Sequence, residues 1–477
     1  MTELDRRTFL AGGAAAAAGG VLVGGPFQGL AAAAARDGGR ADIAFRRLHP
    51  VPDLRDGEIR LHLPEGFAYR SFGPAGSPLD DGVVTPPAHD GMTAFPGASD
   101  NTILVRNHEV NGPVGAFGEP GLAYDPAAGG GTVTLEVTAF GEVVRSAVSL
   151  SGTQLNCSGG PMPWGSWITC EETVNGPDVG NDFTGQDNSL LHENHGYVYD
   201  VPSSGRAAGE PVRAAGRFAH ESAAFDPFTG AVYLTEDNFG FASGFYRYLP
   251  PVDPMVAGRL LDGGRLQVLA VEGDPNARLD QGQRHRATYR VTWVDIDDPD
   301  PAFTGRPSND TAVQAVGNEG RAKGAAIFSR LEGSAYDDGV VYFCSTQGGA
   351  RSAGDEAPSG FGDGRGQVWA YHTRGQLLQL VYESPASQVL DLPDNVTVSR
   401  RGTLVLCENG GGFNFLRGLT RGGQIFDFAR LVPPDDDPGA EFAGSTFGPD
   451  TRTLFVNVQS DAGRSFAIWG PWHRAGF

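Results

Sequence analysis

One short pattern occurs six times along this 477-residue chain, and it restricts the available folds more than any other feature. Gly402-Thr403-Leu404-Val405-Leu406-Cys407-Glu408 is one copy, and Gly230-Ala231-Val232-Tyr233-Leu234-Thr235-Glu236 is another. Gly165-Ser166-Trp167-Ile168-Thr169-Cys170-Glu171 and Gly339-Val340-Val341-Tyr342-Phe343-Cys344-Ser345 follow the same plan. Looser copies run from Thr102 to Glu109 and from Thr453 to Asn457. Each has a turn residue, a run of strand formers and a polar end. Short polar or acidic groups precede them: Asp90-Gly91, Ser158-Gly159-Gly160, His220-Glu221, Glu332-Gly333, Asp394-Asn395 and Ala443-Gly444. The spacing recurs: Asn395 to Glu408, Gly159 to Glu172, Glu332 to Ser345 and Gly444 to Asn457 each span 13 residues. Partner strands are predicted at 131–138, 196–201, 244–249, 366–372, 423–428 and 465–472. A unit of this size buries its apolar faces by stacking on copies of itself. The chain is therefore expected to be all-β, a six-bladed propeller with loop insertions, in preference to a pair of β-sandwiches.

Residues 36–477 are read as one propeller domain, with 36–85 as an N-terminal segment packed on it. The long interval between Glu236 and Glu332, with Asp297-Asp298-Pro299-Asp300-Pro301, and the acidic stretch Pro433 to Pro438 are read as surface loops. Residues 1–35 read as a targeting segment. Asp5-Arg6-Arg7-Thr8-Phe9-Leu10 is a twin-arginine pattern, followed by Ala/Gly-rich apolar sequence up to Ala35. Such a signal is handled by the Tat export machinery and removed, leaving a periplasmic or secreted protein without a membrane span. A net charge of −21 argues against nucleic acid as a partner, which needs a basic footprint.

The repeat places Glu109, Glu171, Glu236 and Glu408 at equivalent strand ends, and Glu221, Glu332 and Asp394 at equivalent starts. In a propeller these ends converge on a central channel. Carboxylates facing one another there repel unless cations lie among them. Oxygen ligands suit Ca²⁺ or ferric iron, and a thiolate suits a transition metal. Cys170, followed by Glu171 and Glu172, is the best thiolate candidate. Cys344 and Cys407 read as core residues or as half-cystines, the four cysteines (with Cys157) allowing two disulfides. There is no Gly-x-Ser-x-Gly elbow and no Walker A loop.

The stretch Asn156-Cys157-Ser158-Gly159-Gly160-Pro161-Met162-Pro163-Trp164-Gly165-Ser166-Trp167-Ile168-Thr169-Cys170-Glu171-Glu172 closely resembles the signature of PhoX-type alkaline phosphatases. His89-Asp90-Gly91-Met92, Asn107-His108-Glu109, His220-Glu221 and Asp394-Asn395 resemble further family motifs, in the same order. The resemblance implies a propeller hydrolysing phosphate monoesters with ferric iron and calcium. It implies Cys170 as an iron ligand, Glu221, Glu332, Asp394 and Glu408 as acidic ligands, and Glu109 with Glu171 or Glu172 on the calcium side. Glu236 joins the metal set by its register. Arg330, two residues before Glu332, would hold the phosphate, with Asn156 and Arg351 as further substrate contacts. The chain departs from the family in reading Arg-Leu-Glu-Gly where an Arg-Pro-Glu-Asp-like motif is expected, and in being shorter. Two other functions are open to such a propeller: a calcium-dependent lactonase and a non-catalytic, metal-stabilised binding module.

Overall fold

A computed structural model describes residues 47–251, 259–433 and 437–477. The twin-arginine segment at 1–35 lies outside these residues, as do parts of both insertions. The chain is all-β, with strands arranged as in a propeller. Each repeat opens with an inner strand: His89–Pro96, Asn156–Met162, His220–Phe225, Leu331–Asp337, Pro393–Val398 and Glu441–Phe447. Each inner strand packs on the next and the last packs on the first, so together they close a ring. Each pairs antiparallel with a second strand, and these second strands are the six repeat copies. Leu404–Glu408 and Ser166–Glu171 are buried at every position. A sheet covered on both faces reads as a continuous apolar run without alternation, which is why the copies look as they do.

Hydrogen bonding does not divide the molecule into six separate, equal sheets. His89–Thr153 gives a four-stranded sheet and Asn156–Pro202 a three-stranded one. Two repeats fuse into a nine-stranded sheet, because Thr288–Asp295 pairs with Arg265–Val271 on one side and Leu377–Glu383 on the other. That bridging strand lies in the interval expected to be a surface loop, so the insertion is partly sheet. Its acidic tip is anchored: the Arg217 amide donates to Pro299 O at 2.7 Å and the Tyr197 hydroxyl to Asp300 at 2.7 Å. In the fifth repeat the partner of Leu404–Glu408 is Phe415–Leu419, and the stretch predicted as partner belongs to the fourth strand, Ile425–Leu431.

The N-terminal segment does more than pack on the domain. His49–Pro52 and Ile59–Leu63 extend the 393–431 sheet, with Leu61 opposite Leu431. Ala68–Phe72 is the outer strand of the last sheet, and Phe72 lies opposite Ser465. The ring is thus sealed by a strand from the other end of the chain. Phe67, Phe428, Trp472 and Phe477 interlock edge-on beside that seam, with ring centroids 4.9–5.8 Å apart. All four cysteines are free and buried, and Cys344 and Cys407 are core residues, so neither of the disulfides the sequence permits is formed.

Candidate metal centre

All six inner strands break register at the same point. The ladder skips between His89 and Met92, Asn156 and Gly159, His220 and Ala223, Leu331 and Ser334, Pro393 and Val396, and Ala443 and Thr446. The skipped pairs are Asp90-Gly91, Cys157-Ser158, Glu221-Ser222, Glu332-Gly333, Asp394-Asn395 and Gly444-Ser445. A bulge leaves a residue unpaired and re-aims its side chain. Glycine serves where neighbouring bulges touch: a Cβ on Gly91 would strike Ser158 Cα and one on Gly333 would strike Asn395 Cα. Two residues before the bulge, four repeats hold a non-glycine residue in the left-handed region: Ala88, Leu155, Arg330 and Leu392, with φ of 51°, 44°, 43° and 50°. Each such position costs on the order of 1–3 kcal/mol. The carbonyls of these four accept the amides of Glu109, Glu172, Thr346 and Asn409 at 2.9–3.0 Å, which fixes the residues beyond the second strand.

The bulges bring together Cys157, Glu172 and Glu221, and also Glu221, Glu332 and Asp394. In each group the donor atoms all lie within 4.8 Å of one another, and Glu221 belongs to both. At that separation two full carboxylate charges repel by about 3 kcal/mol at an effective dielectric of 20. Burial first, then Asp394 and Glu172, push the Glu221 carboxyl well above the ordinary range. Burial, then Asp237 and Asp394, do the same to Glu332. Burial and the nearby Glu221 and Glu172 carboxylates hold the Cys157 thiol protonated. Its Sγ donates to His220 O at 3.2 Å. Buried and half-buried oxygen donors crowded enough to raise the pKa values of Glu221 and Glu332, beside one sulfur, match the chemistry of a cation site. The sulfur-containing group fits a transition metal and the all-oxygen group a hard cation.

Arg330 stands at the edge of this cluster. Its Nε and Nη2 donate to both Asp237 oxygens at 2.7–3.2 Å, and Nη2 also reaches Glu332 Oε1 at 2.7 Å. The Phe239 ring lies 5.1 Å from its Cζ. Asp90, Glu109 and Gln459 form the adjoining part of the ring, with the Gln459 amide donating to both carboxylates.

Other residues expected at the site have different partners. Cys157 and Cys170 lie in the same hydrophobic cluster, but only Cys157 is grouped with the carboxylates. Glu171, Glu236 and Glu408 do not face one another across the channel. Each accepts backbone amides at the start of the third strand: Gly196 and Tyr197, Gly244, and Phe415, at 2.8–3.1 Å. Adjacent strand residues point to opposite faces, so the residue after the strand end, such as Glu172 or Asp237, reaches the cluster instead. Asn156 is buried and committed at both ends of its amide, to Thr153 at 2.6 Å and Thr169 at 3.0 Å. Arg351 is exposed on a separate cleft of about 270 Å³.

The sequence reading placed Cys157 and Asp90 within motifs but gave neither a role, and it passed over Asp237. A signal for the first was present: Cys157 and Asp394 each stand 14 residues before a strand-end glutamate, Glu171 and Glu408. Asp237 shows no such spacing, because the turn before its strand is longer.

Glu171 also forms a buried ion pair. His195 lies between it and Asp125, with Nδ1 2.6 Å from Glu171 and Nε2 3.4 Å from Asp125. Burial alone would lower the His195 pKa, but the two carboxylates outweigh it and hold it at about 9. A folded-state pKa above the unfolded value of about 6.5 means stabilisation that is complete below pH 6.5 and lost as pH rises through 9. His195→Gln should therefore cost about 3 kcal/mol more at pH 6 than at pH 10, read from urea unfolding of parent and variant. An equal cost at both pH values would show that the ring is neutral when folded.

A sequence profile of the family described as "Alkaline phosphatase PhoX" matches residues 45–141 and 125–462. Among solved structures, Pseudomonas fluorescens PhoX in complex with vanadate, a transition state analogue, aligns over 89% of this chain and 97% of its own. The TM-score is 0.62 at 18% identity. A gluconolactonase from Xanthomonas campestris aligns over 84% of this chain and 100% of its own, at 14% identity and a TM-score of 0.33. Virginiamycin B lyase from Staphylococcus aureus aligns over 84% and 99%, at 10% identity and a TM-score of 0.37. Comparison with curated protein sequences gives no match.

Proposed function

We propose, from the premise that the chain belongs to the alkaline phosphatase PhoX family, that the ring of bulges is where this phosphoric monoester hydrolase binds its metals and its substrate. The observation that carries the reading is Glu221, a buried carboxylate shared by a thiol-containing and an all-oxygen donor group. Cys157, Glu172 and Glu221 would hold iron, and Glu221, Glu332 and Asp394 calcium. Bound there, the cations would polarise the phosphoryl oxygens and make a water nucleophilic near neutral pH. The protein's own part is positioning. Arg330 supplies positive charge for the phosphate in an otherwise acidic channel. Asp237 grips that guanidinium from one side and Glu332 from the other, so its orientation is set before substrate arrives. Phe239 covers the guanidinium face and keeps water off it.

The cysteines test this assignment. Cys157→Ser should lose iron, measured by elemental analysis, and at least a hundredfold of its turnover of p-nitrophenyl phosphate, the scale of removing one metal or preorganised donor. Cys170→Ser should keep both, at a modest cost in stability from core packing. Full iron content in Cys157→Ser would refute the ligand set. The substrates we assign are small phosphate monoesters, and the compartment is the periplasm or the medium, reached through Arg6-Arg7. Replacing that pair by Lys-Lys should leave the precursor in the cytoplasm, as cell fractionation would show. Undiminished export would refute the twin-arginine route.

A further inference from the structure

The end of the propeller opposite the bulges carries a cavity of about 700 Å³. Its floor and walls come from the turns that join inner to second strands in the last two repeats, and from the C-terminal turn Trp472–Ala475. Five residues separate Asp394 from Ser399, so at about 3.3 Å per residue the cavity lies on the order of 15–20 Å from the carboxylate cluster. The Arg401 guanidinium donates to His473 O at 3.2 Å, and Thr453 Oγ1 to Ala139 O at 3.0 Å, which ties three parts of the chain around it.

Its lining is unlike the rest of the surface. Phe140, 55% exposed, stands edge-on to Trp469 at 5.1 Å, and Trp472 stands edge-on to Phe447 at 5.2 Å. Arg400, Arg401 and Arg452 rim these rings. On a chain of net charge −21, three guanidinium groups facing one cavity run against the average field. Only one side-chain carboxylate, Asp450, lines it, and that one accepts the backbone amides of Arg452 at 2.9 Å and Thr453 at 3.4 Å. Among the described residues, neither Arg400 nor the guanidinium of Arg452 has a hydrogen bond or ion pair. The turn that presents Arg452 is strained. Thr451 lies at φ 58°, where the corresponding turns place Gly402 at 78° and Gly230 at 73°. A β-branched residue is rare in that region, and such strain collects at ligand clamps.

We propose that this cavity binds a soluble amphipathic anion, a planar apolar body bearing a single acidic group, with the body between the aromatic rings and the acid on Arg400 and Arg452. The volume suits a small organic molecule, and guanidinium groups pair with sulfonate, carboxylate or phosphonate oxygens while the rings take the apolar part. The site is independent of the metal cluster.

Isothermal titration of the metal-loaded protein with naphthalene-2-sulfonate, in saturating inorganic phosphate so that the catalytic centre is filled, tests the proposal. One saturable site per chain is expected, weakened tenfold or more in Arg400→Ala/Arg452→Ala and retained in Arg400→Lys/Arg452→Lys. Phosphomonoesterase activity should stay within twofold of the parent in both variants, which also reports that they fold. Neutral 2-naphthol should bind at least tenfold more weakly. The proposal is overturned if no saturable binding occurs, if the alanine variant binds as well as the parent, or if sulfate alone binds equally, which would make this an adventitious ion site. It is also overturned if only phosphatidylglycerol vesicles bind, which would make this face a membrane contact.

Discussion

Glu221→Gln is expected to lower phosphomonoester turnover by a factor of a thousand or more, and to raise the stability of the metal-free protein. The two effects have one cause. Glu221 is buried and offers a carboxylate oxygen within 4.8 Å of donors in each group, Cys157 and Glu172 in one and Glu332 and Asp394 in the other. Without cations that crowding is unfavourable, and a neutral amide of the same shape relieves it by about 1–3 kcal/mol. With cations the same residue serves two sites, so its loss weakens both at once. Thermal unfolding with and without added calcium and iron separates the effects: the parent should gain strongly from metal and the variant little. A merely structural glutamate would give a variant less stable in both states. Activity within tenfold of the parent would remove Glu221 from the centre.

The second large effect is expected at Arg330. Arg330→Ala should cut turnover of p-nitrophenyl phosphate a hundredfold or more, the scale of losing one preorganised charge donor. It should also destabilise, because Asp237 and Glu332 are left buried without their cation. Arg330→Lys should recover part of each, since an ammonium cannot span both Asp237 oxygens as the fork does. The backbone allows a further separation. At φ 43° the residue is strained, so Arg330→Gly should be about 1 kcal/mol more stable than Arg330→Ala while being equally impaired in turnover. Parent-like turnover in Arg330→Ala would leave the phosphate without its proposed partner.

Much of this arrangement is legible in the amino-acid order, and the reasons for the gaps are physical. The second strands announce themselves because both faces are buried, which makes a run such as Leu404–Glu408 apolar throughout. Glu221, Glu332 and Asp394 are visible because each opens an equivalent strand. The cysteine beside the carboxylates is harder to see. A bulge re-aims the residue at Cys157 toward the carboxylates, whereas the two glutamates that follow Cys170 in the sequence draw attention to the other thiol. Strand-end glutamates mislead for a related reason: Glu171, Glu236 and Glu408 recur in register because the third strand needs its first amides capped, a requirement as periodic as metal binding. The pairing of Arg330 with Asp237 links residues 93 apart, and no local pattern encodes it.

The strand Ala68–Phe72 lies at one edge of the last sheet, beside Arg464–Trp469. The N-terminal segment therefore joins the last sheet as well as the 393–431 sheet, and the ring is sealed by strands from the other end of the chain. The first of the clustered donors is Cys157 and the last Asp394, both well inside that ring. A chain ending soon after Asp394 would contain all five of these residues yet have no closed ring to hold them a few ångströms apart. Retention of metal at these residues would then report that the ring has closed.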